Sequence, residues 1–140
     1  MSSIAFDIPD EICALCDGLE DFLKAEVVAR HEKHHALLSN GRNTYDENGR
    51  YTEEVIGLIR EVRMAAAKAG YYNMCVPEDL GGSGLGMLAY YVAWEHAFRI
   101  CGPHNWMAVY AISHWAFGPS RLLERVTEEA RGEILDGMLE

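Results

Sequence analysis

Cationic side chains are scarce in this 140-residue chain, with 12 Lys and Arg against 22 Asp and Glu, a formal charge of -10. So acidic a surface repels phosphate backbones and anionic lipid, which sets nucleic-acid and membrane-surface roles aside. Cysteine is sparse as well. Cys13, Cys16, Cys75 and Cys101 are too few and too irregularly spaced for a secreted disulfide framework, and they favour a reducing compartment. No basic stretch followed by an apolar core opens MSSIAFDIPDEI, so no signal or transit peptide is expected, and the expectation is a cytoplasmic, bacterial-type location. The longest apolar stretch, residues 106–117, is interrupted by Ser113 and His114 and is too short to span a bilayer. Period-2 runs long enough for a strand, internal repeats and low-complexity segments are all missing.

What remains is ordinary globular material, with 49% hydrophobic, 10% aromatic and 24% charged residues. A chain of this length buries about two-thirds of its unfolded surface on folding, so it needs no disulfide or metal staple. Size and composition imply one soluble domain covering residues 1–140.

The periodicity reads as helix throughout, giving an all-α class. Pro9 suits a first helical turn, with Asp10 and Glu11 favourably placed behind it. Ile12, Leu15, Leu19, Phe22 and Leu23 form an amphipathic stripe on a helix expected to run to about Leu38. NGRNTYDENGR, residues 40–50, reads as a surface loop. Thr52 caps a second helix with its stripe at Val55, Leu58, Ile59, Val62, Ala66 and Ala69, ended by Gly70. A glycine-rich connection leads to a third helix over about residues 87–100. A fourth is expected over residues 105–117 and a last one from Thr127 to near Gly137. The fourth is apolar around its whole circumference, which demands burial on every side or a partner on one face.

Several constellations resemble chemistry. His31, Glu32 and His35 satisfy H-E-x-x-H, in which two histidines one helical turn apart bind zinc and the glutamate acts as general base. The expected helix supplies that spacing, yet a third ligand is not evident, and a solvated helix end is the better reading. Cys13, Cys16, His31 and His34 or His35 follow zinc-finger order, but on one helix residues 13 and 31 lie about 27 Å apart and cannot share an ion. The cysteines read instead as small core or boundary residues. Gly81-Gly82-Ser83-Gly84-Leu85-Gly86 precedes a helix, as a phosphate loop does. No third glycine stands at position 87 and no Walker lysine follows, so a bend with close backbone packing is the better reading. Nothing pairs Cys75, Cys101, Ser113 or His114 into a nucleophile arrangement.

The run AAKAGYYNMCVPEDLGGSGLG resembles a segment of the acyl-CoA dehydrogenases, through Gly70, Val76, Pro77, Glu78, Gly81, Gly82, Gly84 and Gly86. TEEARGEILDGMLE from Thr127 is similar to the helix that closes the N-terminal domain of that family, and Glu95 matches an acidic position on the helix after the glycine loop. Val126, Arg131, Gly132 and the long loop at residues 40–50 depart from the pattern. The resemblance implies a five- to six-helix orthogonal or up-down bundle, equivalent to the first of three domains. It implies FAD bound chiefly by a middle β-domain and a C-terminal helical domain. A glutamate base in the last domain would remove the α-proton as a β-hydride leaves for the flavin. This domain would contribute one wall of the acyl pocket, through His104, Asn105, Ala108, Val109 and Ile112, with Trp106, Tyr110 and Trp115 narrowing the cavity or packing in the core.

The implied partners are an acyl-CoA substrate, the remaining domains of the same enzyme, further copies in a homo-oligomer, and electron-transfer flavoprotein or a similar acceptor. On this reading the chain alone neither holds FAD nor turns over substrate. The alternatives are a stand-alone helical interaction module, a related flavin or nitroalkane-type oxidase, and an H-E-x-x-H zinc hydrolase.

Overall fold

The computed structural model describes residues 7–113 and 124–139, with side chains through residue 134. Its first helix, α1 (Asp10–Phe22), starts one residue later than its proline, because Pro9 is extended at ψ 141° and serves as the N-cap. The chain then passes without a break through a π-helical segment, Leu23–Val28, into α2 (Ala29–Lys33). Leu19, Leu23, Val27 and His31, four residues apart, are all buried. In pure α geometry each four-residue step turns such a line by about 40°, and the wider π turns compensate for that drift. This keeps one straight buried seam.

His34, at φ -110° and ψ 28°, breaks the helix that the sequence suggested would continue to Leu38. Two short helices follow, α3 (His35–Leu38) and α4 (Gly41–Thr44). The expected surface loop at residues 40–50 is therefore partly ordered. Asn40 Oδ1 accepts the Arg42 amide, and buried Thr44 donates its hydroxyl to the Leu37 carbonyl at 2.8 Å. Only after Thr44 does the chain turn in the open, closed by an isolated antiparallel bridge between Tyr45 and Tyr51.

Helix α5 (Glu53–Lys68) has the anticipated boundaries. Thr52 Oγ1 accepts the Val55 amide at 3.4 Å. At the other end Gly70 adopts φ 83°, with Tyr71 N–H donating to Ala66 O and Gly70 N–H to Ala67 O, which is the Schellman arrangement. Val55, Leu58, Ile59, Val62 and Ala66 are buried, whereas Ala69 is exposed. A 3₁₀ turn at Glu78–Leu80 and the glycine run lead to α6 (Gly86–Cys101).

Ala89, Ala93, Ala97 and Cys101, again four apart, are the buried residues of α6. Their small side chains let α6 lie close against α1. Ala89 packs with Ile12 and Cys16, and His96 Nε2 lies 3.2 Å from Glu20 Oε2, so the two helices run in the same direction. The larger side chains of α6 are left for its outer face.

The fourth expected helix differs most. Among the described residues it is a 3₁₀ segment, Trp106–Tyr110, followed by a turn at Ala111 and Ile112. Ser113 N–H then donates to Tyr72 O at 2.9 Å. Apolar character all round is satisfied here by burying Met107, Ala108, Ala111 and Ile112 in the core rather than by a regular helix. His114, Trp115, Ala116, Phe117 and the Gly118-Pro119 stop lie outside the described residues. The last helix, α7 (Glu128–Leu139), begins behind Thr127, whose Oγ1 accepts the Ala130 amide. Among the described residues the secondary structure is helical, and the fold is the all-α bundle that the periodicity implied.

Candidate functional site

A groove of about 550 Å³ opens between α5, α6 and the 3₁₀ segment. Helix α6 supplies Met87, Tyr90, Tyr91, Trp94 and Phe98. Opposite stand Tyr72, Val109, Tyr110 and Ile112, and α5 contributes Arg63. The aromatic rings are mutually ordered. Trp94 stacks on Phe98 at 5.4 Å, and Tyr90 meets Trp94 edge-on at 6.1 Å. Across the groove the Arg63 guanidinium lies over the Tyr110 ring, 4.9 Å from its centroid. Burial pushes the Tyr72 hydroxyl above its ordinary pKa, and the Arg63 charge partly opposes that shift.

A second hollow, of about 390 Å³, lies behind Val109 and Tyr110 near Leu38 and Thr44. Its wall is a stack in which Tyr45 lies on Tyr51 at 5.0 Å and Tyr51 on Trp106 at 5.6 Å. Trp106 Nε1 donates to Leu38 O at 3.2 Å, tying the stack to α3. These rings hold the 3₁₀ segment in place, so Trp106 packs rather than faces the larger groove.

The five residues expected on an acyl wall separate into three groups. Val109 and Ile112 line the groove. Ala108 is buried in the core directly behind it. His104 is exposed, and Asn105 donates its side-chain amide to the Cys101 carbonyl at 2.9 Å, closing the C-terminus of α6. Periodicity over residues 105–117 did not point to Arg63, Tyr72, Tyr90 or Trp94 as neighbours of Val109, since they come from three other stretches of chain. The one available signal was the large aromatic side chains of α6 on the face opposite its alanines.

The other motifs resolve clearly. His31 is buried, not solvated. Its Nε2 accepts the Met107 amide at 3.3 Å, and its ring stands edge-on to Trp106 at 5.7 Å. Burial, and secondarily His35, lowers its pKa. Glu32 and His35 are exposed, and the helix is interrupted between His31 and His35, at His34. The unbroken helix that H-E-x-x-H needs is interrupted at His34, which weighs against the zinc-hydrolase alternative. Among the described residues no three His, Cys, Asp or Glu side chains cluster to hold a metal.

The glycine loop folds back on its own strand of chain. Gly82 N–H donates to Pro77 O, Ser83 to Asn73 O, Gly84 to Val76 O and Leu85 to Met74 O. A Cβ on Gly82 would sit 2.0 Å from Val76 O, which is why glycine is required there. A phosphate cradle needs free amides. Those four amides are spent within the loop itself.

A family model described as the N-terminal domain of acyl-CoA dehydrogenases matches residues 9–140. The chain belongs to this family. The match takes in every helix described above, including the capped α7. Acyl-CoA dehydrogenases are in general FAD-dependent enzymes of acyl-CoA thioesters, which sets the chemistry against which the groove is read. Comparisons with curated proteins and with solved structures return no match. Among the described residues no helix is long and apolar enough to cross a membrane.

Proposed function

We propose that residues 1–140 act as the N-terminal helical domain of a flavin-dependent acyl-CoA dehydrogenase, with the groove as one wall of its acyl pocket. One observation carries this reading. Val109 and Ile112, on the segment that the family resemblance aligns with the acyl wall, line a concave, largely apolar groove of ligand size. Ala108 is buried in the core next to Val109, Asn105 closes the end of α6, and His104 is exposed. The chain's share of α,β-dehydrogenation is to bind and orient the acyl group and to keep water from it. Following the family resemblance, FAD and the base belong to the middle and C-terminal domains, and no chemical step is assigned to residues of this chain.

The outer face of α6 supports further partners. Three of the groove-lining residues, Met87, Tyr91 and Phe98, are 53%, 65% and 50% exposed, so the open side of the groove is an apolar patch of the kind that marks an interaction surface. We assign it to the remaining domains of the same polypeptide. An oligomeric cytoplasmic enzyme passing electrons to a flavoprotein acceptor completes the proposal. The same face also favours the second reading, a stand-alone helical interaction module.

The deciding measurements use the chain itself. With FAD, octanoyl-CoA and an artificial electron acceptor it is expected to hold no flavin and reduce no dye. Octanoyl-CoA is expected to raise its melting temperature, and Val109→Trp, which fills the groove, to abolish that rise while the helical circular dichroism persists. Turnover by the chain alone would overturn the division of labour, and an unchanged melting temperature would remove the acyl-wall reading.

A further inference from the structure

We propose that Arg63 makes the groove selective for acyl chains that end in a carboxylate. The proposal rests on the acyl-wall reading and adds the chemical class of the acyl group. Among the described residues that line the groove, Arg63 is the charged one. Its Nε is shielded from solvent and has no hydrogen-bond partner. The guanidinium contacts the Tyr110 ring instead of a carboxylate.

This is not for want of acids. The chain carries 22 Asp and Glu, and Lys24, Arg30 and Arg99 each take one as a partner. Arg30 binds Glu26 and Glu61, Lys24 binds Glu20, and Arg99 binds Glu95. Glu61, two residues from Arg63, is turned away towards Arg30 at 3.1 Å. A desolvated donor on a cation is costly until an acceptor reaches it. Guanidinium tolerates an aromatic face better than ammonium does, so Tyr110 orients the group without satisfying its donors.

A carboxylate supplies what is missing, two acceptor oxygens matched to the guanidinium fork. The remainder of the groove, walled by Trp94, Phe98, Tyr90 and Ile112, suits an uncharged hydrocarbon body. A plain alkyl chain would fill the same space and leave Nε unpaired. A free phosphate would pair with Arg63 and leave the apolar walls bare.

The test compares monomethyl suberate with dimethyl suberate, ligands of near-equal length that differ in one terminal charge. Binding is measured on the 140-residue chain by calorimetry. The half-acid is expected to bind at least about tenfold more tightly than the diester. Arg63→Gln should bring the two within about twofold, and Arg63→Lys should keep part of the preference. Circular dichroism of both variants checks that the fold survives. Equal binding of the two ligands to the unaltered chain, or a preference that survives in Arg63→Gln, would overturn the proposal and leave the acyl wall standing. Binding of neither ligand would overturn both.

Discussion

The amide of Met107 donates to Nε2 of His31 at 3.3 Å, joining the first helical rod to the 3₁₀ segment across 76 residues of chain. The bond requires a neutral imidazole, because a protonated ring has no acceptor to offer. Burial already lowers the His31 pKa from its ordinary 6.5. Above that value both folded and unfolded chains carry a neutral ring, and the contribution to stability is whole. As pH falls below it, the unfolded chain binds a proton that the folded one refuses until its own lower pKa is reached. Between pH 7.5 and 5.5 the unaltered chain should lose more stability than His31→Gln, measured by urea unfolding. Parallel losses in the two proteins would show that His31 is not the group responsible.

Gly82 and Gly57 should respond oppositely to alanine. A Cβ on Gly82 meets the Val76 carbonyl at 2.0 Å, while one on Gly57 in α5 meets nothing within 4 Å. Gly82→Ala is expected to cost about 2 kcal/mol or more by forcing the loop off its hydrogen bonds. Gly57→Ala should stabilise by roughly 0.5–1 kcal/mol through helix propensity. Denaturant midpoints of the two variants provide the comparison.

Thiol reactivity should follow burial. Cys13 is exposed and Cys16 and Cys101 are buried. Burial pushes the thiols of Cys75 and Cys101 up to about 11 and raises that of Cys16. The thiolate is the reacting species, so in native buffer at pH 7.5 iodoacetamide should label Cys13 first, with the other three reacting as the chain unfolds. Mass spectrometry of a time course reads the order directly. Fast labelling of Cys101 would contradict its place in the core.

Trp106 combines a hydrogen bond with stacking, and the two are separable. Trp106→Phe keeps an aromatic face on Tyr51 but leaves the Leu38 carbonyl without its donor. A loss of about 1 kcal/mol is expected from the bond. Trp106→Ala removes the ring that also meets His31 and Tyr110, and should cost about 3–5 kcal/mol. Equal losses for the two variants would mean that the stack contributes little.

Much of the helical scaffold was written in local chemistry. Thr52, Gly70 and Thr127 act at the ends of their helices because a cap depends on a side chain or a positive φ within a few residues. Val55, Leu58, Ile59, Val62 and Ala66 are buried because a 3.6-residue period puts them on one face. The candidate groove was only partly legible. Val109 and Ile112 were expected near a ligand through family resemblance, but Arg63 and the α6 aromatics reach them from distant parts of the chain.

The sequence by itself therefore determined the all-α class, the caps, the buried faces of the long helices and the family. Each depends on spacing along the chain or on short motifs. Only the tertiary structure decided that residues 106–110 form a 3₁₀ segment, that His31 is buried against Met107 and Trp106 instead of facing solvent, and that Arg63 lies unpaired in an aromatic groove. Those outcomes turn on which surfaces meet. An apolar segment can satisfy its burial in several backbone forms, and a histidine or arginine takes its charge state and partners from neighbours that periodicity does not name.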